Sequence, residues 1–216
     1  MKNKRYKVTK ELNVITLLIA VLSFCNVYSF SKNPTNQYSN EALPNVRLTM
    51  QAAFVVGTHA LFMRNDRIGR YDIKSDKQLG MGRLNKGSWA GIPDNVGAAL
   101  YHPENKKAYF FKGNMYYQYN LQSKKVEIKG KIGVRGWKGL TGAYDAAISH
   151  PTNRHAYFFK GSKYYKYSFA QRKMVNSGVI GQDGWRGVPS NIDLALLHSN
   201  GKAYFFDDNF YYRYDF

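Results

Sequence analysis

The side chains with the clearest capacity for chemistry are three histidines set at one regular step, His102, His150 and His198. Imidazole nitrogens bind transition metals and haem iron, and three of them related by a repeat would project from one face. Coordination requires nitrogen-to-metal distances of about 2 Å, so the trio is a ligand set only if its turns crowd together. Pro103 and Pro151 beside two of them supply a competing reason for polar residues there, since such dipeptides make turns. A second capacity is electrostatic. Lys106, Lys107, Lys112, Arg154, Lys160, Lys163 and Lys202 recur at strand edges and turns. Interleaved with tyrosines, they would form a basic rim that attracts acidic glycans or anionic protein and membrane surfaces. The bland counterpart of that rim is simple solubility. Catalysis finds no support, because no His-Glu-x-x-His, Gly-x-Ser-x-Gly, Walker or dinucleotide-binding pattern occurs. Asp207 and Asp208 fall between two aromatic runs and read as turn formers.

What positions these groups is an internal repeat. Trp89, Trp137 and Trp185 fall 48 residues apart, as do Tyr71, Tyr119 and Tyr167, with Tyr214 one residue short of the next step. The text recurs with them: AYFFKGNMYYQY from Ala108, AYFFKGSKYYKY from Ala156 and AYFFDDNFYYRY from Ala203, the first copy being the divergent ALFMRNDRIGRY from Ala60. Each unit opens on small residues (Ala52-Ala53, Ala98-Ala99, Ala146-Ala147, Leu194-Ala195), which suit a crowded axis. A Pro- or Asn-rich turn follows, then two aromatic β-rich runs separated by Lys-Gly-Asn, Lys-Gly-Ser or Asp-Asp-Asn, which form a hairpin. Gly87 to Pro93 closes the first unit, with counterparts at Gly136 to Leu140 and Gly184 to Pro189. Such units cannot bury both sheet faces alone, so stacking four of them around an axis gives an all-β, four-bladed propeller. The repeats are placed at about 45–93, 94–140, 141–189 and 190–216.

The order Asp-Ala-Ala, Tyr-Phe-Phe-Lys-Gly, Tyr-Tyr-Lys-Tyr and Trp-x-Gly-x-Pro resembles the hemopexin-like repeat family, over Asn45 to Phe216, and within it the photopexins. The resemblance implies a binding scaffold with no single ligand. It also implies a cation at the axis, held near the Asp of Asp-Ala-Ala. Only Asp145 and Asp193 keep that acid, Gln51 and Gly97 standing at the equivalent positions, so backbone carbonyls would have to supply much of a Ca²⁺ or Na⁺ site. The alternative is that these aspartates satisfy turn amides. The fourth unit ends at Phe216 without an outer strand, a truncated last blade. The segment 30–44 is expected to cover it, Pro44 lying one period from Pro93 within one residue. An exposed edge there could instead pair with a second copy as a homodimer.

Residues 1–29 read as a secretory signal peptide, five basic residues preceding the apolar run from Val14 to Phe24. An uncleaved anchor and a lipid on Cys25 are the competing readings. Cys25 is the only cysteine of the chain, so the exported domain has no disulfide. The whole chain carries a net charge of +18. Two function classes remain: a secreted scavenger of haem, iron or another small ligand, and an adhesion module for acidic glycans, matrix or host proteins. Nucleic acid is disfavoured by export and by the absence of any recognised nucleic-acid module. A scavenger needs a closed pocket with His or Tyr ligands, an adhesion module a contiguous basic face.

Overall fold

In the computed structural model, which describes residues 5–7 (backbone), 50–207 and 210–216, four antiparallel four-stranded sheets stand around one axis. Blade one is β2 (Ala52–Val56), β3 (His59–Arg64), β4 (Arg67–Asp72) and β5 (Lys77–Arg83). Blade two is β6 (Ala98–His102), β7 (Lys107–Lys112), β8 (Met115–Asn120) and β9 (Lys125–Lys131). Blade three is β10 (Ala146–Ser149), β11 (His155–Lys160), β12 (Lys163–Ser168) and β13 (Lys173–Val179). Blade four has β14 (Leu194–Leu197), β15 (Ala203–Asp207) and β16 (Phe210–Tyr214) from its own unit. Its outer strand is β1 (Arg5–Lys7), antiparallel to β16 with Tyr6 opposite Tyr211. The strands β2, β6, β10 and β14 are innermost, each against the next, and β14 meets β2 to close the ring.

The last unit thus contributes three strands, as the sequence predicts, and the fourth comes from within the stretch read as a leader. The segment 30–44, most of the leader and Cys25 lie outside the described residues. Among the described residues no helix is long and apolar enough to cross a membrane.

The apolar core is not at the axis but in four layers between blades. Small inner-strand residues let the backbones approach at the centre, and the aromatic runs fill the widening space outside. Each tryptophan packs on the final tyrosine of the following blade: Trp89 on Tyr119 at 5.1 Å, Trp137 on Tyr167 and Trp185 on Tyr214, both at 4.7 Å between ring centroids. Trp137 also meets Phe111 of its own blade and Phe158 of the next edge-on, at 5.1 and 5.3 Å. Such aromatic pairs add about 0.5–1.5 kcal/mol beyond their buried area, so the 48-residue period is the spacing of these inter-blade pins. Gly136 gives the Tyr116 ring its room beside them: a Cβ there would lie 2.8 Å from the hydroxyl oxygen and the ring would have to shift.

Candidate functional site

The propeller has two chemically different ends. All four inner strands start at one of them, together with the β7–β8 and β11–β12 hairpins; this is the Asp145 end. At the other, the His150 end, each inner strand turns back into its neighbour.

At the Asp145 end the four residues equated by the repeat take the same backbone position. The amides of Gln51, Gly97, Asp145 and Asp193 donate to Met63, Phe111, Phe159 and Phe206 carbonyls at 2.8–3.0 Å. The Asp145 carboxylate accepts the Gly161 amide at 2.7 Å, and the Gln51 side-chain oxygen accepts the equivalent Asn65 amide at 2.6 Å. Glutamine thus does in blade one what aspartate does in blade three: it caps the hairpin. Among the described residues no three His, Cys, Asp or Glu side chains gather as a metal site. The side-chain donors at the axis therefore do not compose a cation cage, and any axial Ca²⁺ or Na⁺ would rest on carbonyl oxygens.

The three histidines occupy equivalent turns at the His150 end, but each is held within its own packing. His102 stacks on Phe169 of blade three at 3.7 Å. His150 lies 4.2 Å from Phe216, and its Nδ1 accepts the amides of Thr152 and Asn153, both at 3.2 Å. His198 is buried, with Nδ1 accepting the Asn200 amide at 3.1 Å. Burial pushes the pKa of all three below the usual histidine range, a Glu104 charge opposing this at His102 and the Asn200 contact at His198. His102 Nδ1 and His198 Nε2 are buried without a partner among the described residues, which makes charging these rings still less favourable. Only His150 of the three lines the axial cavity of about 90 Å³, whose walls are otherwise inner-strand residues with Pro103 and Pro151. That volume falls well short of the ~300–1,000 Å³ of sites that enclose a drug-sized ligand. The structure does not bring the trio together as a ligand set.

The seven basic rim residues divide between the two ends. Lys112, Lys160 and Lys163 stand by the hairpins of the Asp145 end, whereas Lys106, Lys107, Arg154 and Lys202 stand at the His150 end. Four of them meet acids: Lys112 pairs with Asp94 and Lys107 with Glu127 at 2.8 Å, Lys202 with Asp215 at 2.9 Å, and Arg154 with Glu104. These pairs hold the carboxyls of Asp94 and Glu127 below the usual carboxylate range, mainly through the lysine hydrogen bonds.

A different basic pattern, passed over in the rim reading, belongs to the His150 end alone. The two turns of blade two end on Lys106-Lys107 and Lys124-Lys125, those of blade three on Arg154-His155 and Arg172-Lys173. The first residue of every doublet has a left-handed backbone, φ 56, 56, 58 and 54°. Its signal was available, since Lys124 and Arg172 lie one 48-residue period apart. Charge is also uneven around the ring. Residues 45–93 hold eight basic and three acidic side chains, 94–140 nine and three, 141–189 seven and two, but 190–216 only two against four.

Comparison with protein families finds Hemopexin over residues 96–136 and 145–190, the repeats of blades two and three. No curated protein matches the chain. Among solved structures, the hemopexin fold protein CP4 from cow pea is similar over 78% of this chain and 86% of its own, with 22% identity and a TM-score of 0.63. A plant lectin with two metal binding sites from Cicer arietinum matches over 77% and 86%, at 22% identity and 0.61. A plant albumin from Cicer arietinum showing hemagglutination matches over 76% and 85%, at 21% identity and 0.62. At these identities the likeness is one of fold.

Proposed function

We infer that this chain, which carries hemopexin repeats on a four-bladed propeller, is an exported, non-catalytic binding protein whose partner is polyanionic, an acidic glycan or an anionic protein surface. The observation that carries this reading is the charge distribution: three repeat units in succession each hold at least five more basic than acidic side chains, and the fourth unit, 190–216, reverses the sign. A surplus confined to part of the ring gives the molecule a directed field, which accelerates encounter with an anion and weakens with salt. Export rests on the N-terminal leader. On this reading its removal also removes β1 and leaves the edge of β16 for another strand, in a homodimer a second copy's.

Haem or iron scavenging fares less well. Two of its three histidines accept turn amides through Nδ1 and the third is stacked on Phe169, and the axial cavity is small. A lectin and a hemagglutinating albumin on the same fold accord with glycan binding. The test is retention of the chain on immobilised dextran sulfate against uncharged dextran, alongside a haemin titration followed by absorbance. We expect retention on the sulfated matrix alone and no saturable Soret shift. Equal passage through both matrices with a one-equivalent Soret shift would replace this reading with the scavenger.

A further inference from the structure

We propose that the polyanion is a sulfated or uronic-acid polysaccharide, and that it lies across the four adjacent turns at the His150 end of blades two and three. This rests on the polyanion reading above and assigns its site. The Lys106, Lys124, Arg154 and Arg172 backbones are left-handed, a conformation that costs any residue with a Cβ and that Gly or Asn adopts most readily. Blades one and four use the cheaper choices at described turns of this end, Gly57, Asp76 and Gly201. Four basic residues at four strained positions, confined to two neighbouring blades, indicate that the cation is what those positions retain.

The four turns form one surface. Arg154 of blade three pairs with Glu104 of blade two, Phe169 stacks on His102, and the Met174 amide donates to the Lys138 carbonyl at 2.8 Å. Acidic neutralisation is confined to Glu104 and Glu127, each already engaged. Lys106, Lys124, Lys125, Lys138, Arg172 and Lys173 are exposed and have no acidic partner among the described residues. Within a blade the two turns are separated by two strand spacings, about 10 Å, so the charges fall in a row suited to an extended chain.

The turn tips decide the class of polyanion. Gln122, Ser123, Thr152 and Gln171 are exposed and offer amides and hydroxyls to sugar hydroxyl groups. The large apolar members of the turns, Leu121 and Phe169, pack against the cores between blades, and only Pro103, Pro151 and Ala170 are left as exposed apolar residues of the four turns. A bilayer would need large apolar side chains as wedges, and single-stranded nucleic acid would need exposed aromatic platforms.

Two charge-matched variants test the assignment. In the first, Lys106→Asn, Lys124→Asn and Arg172→Asn are combined; in the second, Lys131→Gln, Lys160→Gln and Lys163→Gln at the opposite end. Affinity for dextran sulfate and for polygalacturonate is measured with the melting temperature. The first variant is expected to bind about tenfold more weakly or worse, by loss of three charge-assisted contacts, while melting no lower than the parent because Asn suits the left-handed backbone. The second is expected to stay within about twofold, as the field alone changes. Equal losses in both, or a loss only in the second, would overturn the site while leaving the polyanion reading intact. Failure of the parent itself to bind would remove that reading first. Tighter binding of the parent to vesicles of phosphatidylserine than to either polysaccharide would overturn the glycan assignment.

Discussion

Blades two and three and blade four share one aromatic scaffold and almost nothing of its surface. In each, an inner strand of small or apolar residues faces the axis and a hairpin of Tyr and Phe fills the space toward the next blade. Blades two and three are complete within their own units and basic, and they carry His-Pro turns. Blade four takes Arg5–Lys7 as its outer strand, its own unit (190–216) holds two basic against four acidic side chains, and Ser-Asn-Gly follows its histidine. The inter-blade packing tolerates this divergence because it rests mainly on strand residues inside the layers, to which the turns add a few contacts such as His102 on Phe169. The fold and the binding face are therefore separable, and each can be perturbed alone.

The largest effect is expected inside the layers. Trp137→Ala between blades two and three should cost about 3–5 kcal/mol, the usual range for a large buried aromatic, read as a lower denaturation midpoint. Trp185→Ala, on the blade-four side, should cost as much if the two layers are equivalent; a much smaller loss would show blade four to be loosely docked.

Closure of blade four comes next. In the chain that retains its N-terminal residues, deleting Met1–Lys10 removes β1 and exposes the backbone edge of Phe210–Tyr214. Losing a few ladder hydrogen bonds, about 0.5–1.5 kcal/mol each, should lower the melting temperature by several degrees, at ~2–4 °C per kcal/mol for a domain of this size. An unchanged melt, with a fall on deleting Asn33–Pro44 instead, would assign closure to that segment.

A smaller effect follows from the three turn histidines. Their folded-state pKa values lie below the ordinary value of about 6.5, so on acidification the unfolded chain takes up protons that the folded chain resists. Their contribution is complete above about pH 6.5 and declines as pH falls toward the folded-state values. The melting temperature should drop through that window in the parent. It should drop less after His102→Asn, His150→Asn and His198→Asn are combined. An identical pH profile in both would exclude the histidines as the cause.

Fold and site were not equally legible in the sequence. The 48-residue period, the hairpins at Lys-Gly-Asn and Lys-Gly-Ser and the small inner strands are local patterns, and each maps onto one strand or turn. The pairing of Arg5–Lys7 with β16 joins residues far apart in the sequence, and three basic-aromatic residues in the stretch read as a leader carry no pattern that announces it. The charges were visible but their partners were not: Asp94 neutralises Lys112 across 18 residues and Glu104 reaches Arg154 across 50. A rim drawn from hairpin spacing therefore joined residues that the antiparallel meander sends to opposite ends. The histidines show the same limit. Their spacing is regular because their turns are equivalent, and equivalent turns around a ring hold side chains apart.

The most direct test of the central claim is the affinity of the chain for dextran sulfate across a series of salt concentrations. If the partner is polyanionic, the logarithm of the affinity should fall steeply and linearly with that of salt, as counterion release requires when several cations are engaged. Affinity that does not change with salt, or haemin bound where the sulfated polymer is not, would contradict it.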